Sequence, residues 1–210
     1  MNNWNILEEY WQELAAQTIL DPTVYHEIFR EIKRKYSYGS SVKRVYHSPE
    51  KLVAMLQLAE KYHNEQLNMR VVQYAIWFSM LDATIIQSKD LSPNYKLASK
   101  LLSRIGVPEI ELNHVRNCID ALVNTTETLT PEMALFLDIY NLDLGKNQNN
   151  YLSSIEEIKQ ELSFTERFGF KKRYRKWLET VINPNKIFKT EAINTQFESQ
   201  AQKNLALVWN

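Results

Sequence analysis

The densest charge feature of the chain is Lys171-Lys172-Arg173-Tyr174-Arg175-Lys176-Trp177. Cations at this density, with two aromatic rings among them, can grip phosphate oxygens or stack the bases of a single strand. Lys171, Lys172, Arg173 and Arg175 are its candidate phosphate-binding residues. The plainer reading, a solvated helix face balanced by Glu156, Glu157 and Glu161, is preferred. Cys118 is the only cysteine, so the chain can form no internal disulfide and no thiolate zinc site. It reads as a small buried hydrophobe, since no catalytic pattern surrounds it. No glycine-rich loop is present, which removes P-loop and dinucleotide-binding chemistry. Trp4 and Trp11 lie seven residues apart, on one helix stripe. Together with Trp77 and Phe78 they fit a packed core better than a stacking platform.

The elements that must position these residues are marked by a repeated punctuation. A good N-cap residue precedes proline at Asp21-Pro22, Ser48-Pro49, Ser92-Pro93 and Thr130-Pro131. The capping side chain satisfies free amides, and proline at the first helical position loses no hydrogen bond. Apolar residues follow at helical spacing, as at Leu52, Met55, Leu56 and Ala59, or at Leu97, Leu101, Leu102 and Ile105. Gly106 sits where a left-handed C-terminal cap belongs. The pattern predicts helices near 3–18, 21–36, 48–65, 67–86, 92–105, 108–124, 130–143, 148–162, 165–182 and 190–207. Irregular stretches are expected at 37–46 and near 183–190. The expectation is an all-α, single-domain helical bundle over 1–210, with a core at 21–182 and a C-terminal helix near 190–207 packing back onto it.

Composition agrees. The 210 residues are 44% hydrophobic and 24% charged, enough to bury a core without disulfides or a structural metal. Four glycines and six prolines argue against a turn-rich β-sandwich. Lys plus Arg and Asp plus Glu are 25 each, so the chain lacks the basic excess of a general polyanion binder. Nucleic acid is therefore a disfavoured partner. No run of about 18 apolar residues is present, and no membrane span is expected. Glu8 and Glu9 stand where a signal peptide would begin basic and apolar, so a cytoplasmic location is expected. An effector secreted without a signal peptide would look the same.

Several segments, in order along the chain, resemble the predicted metal-dependent phosphohydrolases of the His-Asp (HD) superfamily. Arg44-Val45-Tyr46-His47-Ser48-Pro49-Glu50-Lys51 is similar to that family's R-x-Y-H-N-x-x-H, and Ala75-Ile76-Trp77-Phe78-Ser79-Met80 to its A-x-W-F-H-D. Asn94 and Ala98 fit N-E-x-x-S-A. Phe136-Leu137-Asp138-Ile139-Tyr140 through Leu144-Gly145 resembles F-L-D-x-D-L-x-x-L-G. Lys159-Gln160-Glu161 falls where R-x-E is usual. Ile187-Phe188, Glu198, Ala201 and Asn204-Leu205 resemble the C-terminal signature. The resemblance implies the HD-domain helical fold and a site where histidines and aspartates hold divalent ions that activate water against a phosphate ester.

The same comparison implies that this site has lost its ligands. Lys51 stands where the family has His, Ser79 and Met80 where it has His and Asp, and Tyr140 where it has Asp. Tyr95 replaces the Glu of N-E. Asp138 and His47 match. Lysine brings positive charge to a cation's place, and a thioether is a poor ligand for magnesium or manganese. No histidine is followed by Asp anywhere, so a shifted alignment does not restore the dipeptide. The vestigial pocket implied is His47, Lys51, Ser79, Met80, Asp82, Asp138 and Tyr140, with no metal ligand set and no cofactor. His47 reads as a leftover acid or as an ordinary helix-start histidine, and Asp82 as a ligand or a surface carboxylate. Asp138 is a candidate to pair with Lys51. The expectation is a pseudoenzyme acting as a binding or regulatory module, for an unknown protein partner or a small phosphorylated ligand, with a homodimer left open. The alternative is an active metal-dependent phosphohydrolase with a weakly bound divalent ion at a rearranged site around His47, Asp82 and Asp138.

Overall fold

The computed structural model describes residues 2–18, 22–38, 44–81, 90–124, 128–181 and 186–209. Every regular element among them is helical: α1 (Asn3–Ala15), α2 (Pro22–Tyr38), α3 (Pro49–Lys61), α4 (Met69–Phe78), α5 (Ser92–Ser103), α6 (Glu109–Asp120), α7 (Pro131–Tyr140), a 3₁₀ turn (Leu142–Gly145), α8 (Gln148–Glu161), α9 (Phe164–Arg167), α10 (Phe170–Val181) and α11 (Glu191–Trp209). They enclose a single core.

The cap-then-proline pattern does the work expected of it at two of its four sites. The Ser48 side chain accepts from the Lys51 amide and that of Thr130 from the Met133 amide, opening α3 and α7 with proline just inside. At α5 the helix starts at Ser92 itself, and the Asp90 carboxylate accepts its amide. Asp21 lies outside the described residues. Gly106 closes α5 with φ +77°, as its position implied.

The helices predicted at 3–18, 48–65, 108–124 and 130–143 end three or four residues early, and two others depart further. The one predicted at 67–86 ends at Phe78. The one predicted at 165–182 is two helices, because Gly169 adopts φ +72° between α9 and α10. Ser163 and Glu166 form a reciprocal capping box that starts α9.

α4 is the hub. Seven of its ten residues, Val71, Val72 and Tyr74 through Phe78, are buried. A helix apolar nearly all round must be wrapped, and α3, α5, α6 and α7 pack on it. Trp11 on α1 reaches the same core, edge-on to Trp77 with ring centroids 5.4 Å apart. Its indole N–H donates to the Tyr25 carbonyl at 2.9 Å, so the buried ring leaves no donor unpaired. Cys118 is buried in this core, and burial pushes its thiol up to about 12, too high for a reactive thiolate. α11 lies against the 3₁₀ turn and α10. The Gly145 Cα faces Phe197 of α11 so closely that a Cβ there would stand 2.6 Å from the Phe197 Cβ.

Candidate functional site

The segment 44–48 leads into α3 and has no regular structure of its own, so its amides need outside acceptors. Glu161, at the end of α8, supplies one. Its Oε1 accepts from the Val45, Tyr46 and His47 amides at 2.8, 2.9 and 2.7 Å. Its Oε2 stands 2.5 Å from His47 Nδ1. Both side chains are buried. Burial alone would raise the Glu161 carboxyl, but the His47 ring and these amides hold it below its usual value. An ionised carboxylate only accepts, so the proton of this bond sits on Nδ1. In the neutral ring Nε2 is then an acceptor, and the Tyr140 hydroxyl lies 3.4 Å from it.

One turn into α3, Lys51 points toward the 3₁₀ turn. Its Nζ is 2.7 Å from Asp143 Oδ2, and Lys146 Nζ is 2.7 Å from Oδ1. The Lys51 ammonium also lies 4.9 Å from the centre of the Tyr46 ring, within cation–π range. Burial would raise the Asp143 carboxyl, but the two ammonium groups overcome it and hold the group well below the carboxylate range. The expected Lys51–Asp138 pair is therefore not formed.

Asp138 has other partners. It projects from α7 to the start of α11, where it accepts from the Lys189 and Thr190 amides at 2.8 and 2.7 Å and from the Thr190 hydroxyl at 2.6 Å. Burial outweighs these bonds and leaves its carboxyl above the ordinary value. Ser79 and Met80 are fully buried just past α4. The Ser79 hydroxyl donates to the Ile76 carbonyl and its own carbonyl accepts from Asn94 at 2.7 Å. The Met80 and Leu81 carbonyls accept from the Arg44 guanidinium at 2.6 and 2.5 Å.

Of the expected pocket residues, His47 and Tyr140 line one small enclosed cavity, and Lys51 reaches its edge through Asp143. Ser79, Met80 and Asp138 do not line it, and Asp82 lies outside the described residues. Tyr46, Asn141, Tyr151, Ser154, Tyr174 and Trp177 add further polar groups to its wall. The cavity measures about 20 Å³, room for one water molecule. The Asn141 Oδ1 and Trp177 Nε1 atoms are buried without a protein hydrogen-bond partner. Among the described residues no three His, Cys, Asp or Glu side chains stand close enough to share a metal ion.

The basic run lies on α10. Lys171, Lys172 and Arg173 are exposed, while Tyr174 is buried and Trp177 half-buried. Tyr174 therefore cannot stack on a base. Arg175 turns inward to the Val208 carbonyl of α11. The expected balancing carboxylate Glu161 is committed to His47 instead. Sequence reasoning gave no bonding partner to Arg44, Glu161 or Asp143. Arg44 and His47 just ahead of Pro49, Lys51 just after it, and the match of Lys159-Gln160-Glu161 to R-x-E were the available signals, and none of them names a partner more than 30 residues away.

Comparison with protein-family models, with curated proteins and with solved structures returns no match to the chain.

Proposed function

We propose that this chain is a catalytically inactive relative of the HD-superfamily phosphohydrolases, kept as a binding or regulatory module. The observation that carries the reading is the Lys51–Asp143 pair. On the resemblance, Lys51 replaces a metal-ligating histidine, and its ammonium is the counter-charge of the nearest buried carboxylate. A cation beside an ammonium about 4 Å away at an effective dielectric near 20 costs about 4 kcal/mol per unit charge, roughly a thousandfold in affinity. The remaining candidate ligand, Asp138, spends both oxygens on the start of α11. A cavity of about 20 Å³ beside His47 does not admit a phosphate ester.

A second regularity supports it. The residues that match the family pattern are those that tie segments together: Arg44, Glu161, Asn94, Asp138, Glu198 and Asn204. The Glu198 carboxylate accepts the Ile187 and Phe188 amides, and the Asn204 amide donates to the Leu144 and Lys146 carbonyls. Of the residues that depart from it, those at 51, 79, 80 and 140 stand at the family's ligand positions, while Ser48, Tyr95 and Lys159 depart elsewhere. A scaffold with its brackets intact and its ligands replaced is what loss of catalysis with retention of fold would leave.

The test is hydrolysis of p-nitrophenyl phosphate and bis(p-nitrophenyl) phosphate with manganese, magnesium or nickel. Turnover is expected to equal the protein-free control, with no metal retained after gel filtration. Manganese-stimulated turnover that co-elutes with the protein and falls on His47→Gln would overturn the reading.

A further inference from the structure

Among the described residues five large hydrophobic side chains are exposed, and four of them lie in one region. Leu152 on α8 and Leu207 on α11 are each 42% exposed, while Phe164 and Phe168, at and just after α9, are 75% and 68% exposed. The fifth, Ile110, begins α6. Between α8, the start of α10 and the end of α11 runs a groove of about 440 Å³. Leu152, Ile155, Phe170, Leu207 and Val208 form its apolar lining. The Phe168 ring meets Phe164 edge-on, and Phe168 stands in the chain between Arg167 and Gly169, two residues that line the groove. Clustering of this sort on a surface marks a contact site rather than scatter.

The rim is charged with one sign in excess. Lys159, Arg167 and Lys171 line the groove against the single carboxylate of Glu156, which pairs with Lys159. Lys172 and Arg173, both exposed, follow Lys171 on α10. The Arg173 and Arg167 guanidinium groups donate to the Phe168, Leu162 and Gln160 carbonyls, which holds two of these charges in place.

We propose that this groove docks an acidic amphipathic helix of a partner protein, its apolar side chains in the groove and its carboxylates against Lys159, Arg167 and Lys171. The groove's volume is within the range of small-ligand sites, but the exposed rings of Phe164 and Phe168 flank lining residue Arg167 in the chain and offer apolar contacts outside the cleft that a protein segment could use. The site is concave and walled by helices, which suits an inserted helix better than the flat surface of a bilayer. The excess of cations selects acid on the occupant's polar face. The proposal is independent of whether the chain hydrolyses phosphate esters.

The test is selection from a phage-displayed library of helical peptides of about 20 residues, randomised on all faces. The full chain is the target, with Leu152→Glu/Leu207→Glu protein as counter-target. Both leucines are partly exposed, and circular dichroism checks that the variant remains folded. Enriched sequences are expected to carry apolar residues at i, i+3, i+4 and i+7 with a Glu/Asp-rich flank. Synthetic winners should bind the double variant at least about tenfold more weakly, lose affinity as salt rises, and weaken likewise on Lys171→Glu/Lys172→Glu. No enrichment, enrichment without acidic bias, or equal binding to the variants would overturn the proposal. So would sedimentation of the wild type with phosphatidylserine vesicles, or a dimer in light scattering, if either is abolished by the same leucine changes.

Discussion

The Lys51–Asp143 pair is largely shielded, with each side chain 11% exposed, and such a pair is judged by what its removal leaves behind. Asp143→Leu strands the Lys51 ammonium in the interior and is expected to lower unfolding free energy by about 3–5 kcal/mol. Lys51→Met leaves Asp143 with Lys146, whose side chain is 46% exposed, and should cost less. The double variant, which removes both charges and fills the space with apolar atoms, should recover most of the loss. Urea unfolding of the four proteins as a double-mutant cycle checks this. Additive losses would mean that the two groups do not stabilise one another. This choice of partner could not be read from sequence. Lys51 had two aspartates within reach, at 138 and 143, and which one it meets depends on where the 3₁₀ turn places Asp143. Asp138 faces the other way because the Lys189 and Thr190 amides, just ahead of α11, come to it.

Helix starts were the most legible part of the chain, because an N-cap acts on amides two or three residues ahead and its chemistry is complete within one turn. Helix ends at Phe78 and Arg167 were not legible. The first ends beside Asn94 and Arg44, which take up the carbonyls of Ser79, Met80 and Leu81 from far along the chain. Glycines divide in the same manner. Gly106 and Gly169 are needed for their positive φ, and alanine at Gly106 should cost about 1–2 kcal/mol by strain alone, with ordinary contacts around the new methyl. Gly145 is needed for close approach. Gly145→Ala should cost about 1–3 kcal/mol or more, since helix α11 must shift away. Phe197→Ala is expected not to rescue it, because the nearest atom is the Phe197 Cβ, which alanine keeps. Thermal unfolding of the single and double variants separates the two cases, and full rescue by Phe197→Ala would show that the ring is the obstacle.

Over the whole molecule, the depressed carboxyls of Asp143 and Glu161 contribute to the dependence of stability on acid, beside the more exposed Glu50, Asp90, Glu132 and Glu166, which are lowered too. Their folded pKa values lie below the unfolded ones, so the stabilisation is complete above the unfolded values near 4 and is lost as pH falls further. Asp138, raised by burial, works in the opposite sense and blunts the slope. The urea midpoint is therefore expected to fall between about pH 5 and pH 3, and to fall less steeply in Asp143→Asn. A midpoint unchanged over that range would show that neither carboxylate is held in its charged form. The single all-helical domain was legible in composition and periodicity, which register local preference. The interior contacts around 44–48 were not, since they join segments far apart in the chain. The carboxylate that receives the Val45, Tyr46 and His47 amides belongs to a residue 114 positions after His47. During synthesis the first three helices and this connecting strap leave the ribosome long before their acceptor has been translated. For that interval the three amides lack their folded-state acceptor, and the strap cannot make these three bonds until α8 has been made. A segment made early thus depends for its hydrogen bonds on one made much later, as the Lys51 ammonium and the Tyr62 hydroxyl also do through Asp143 and Gln196.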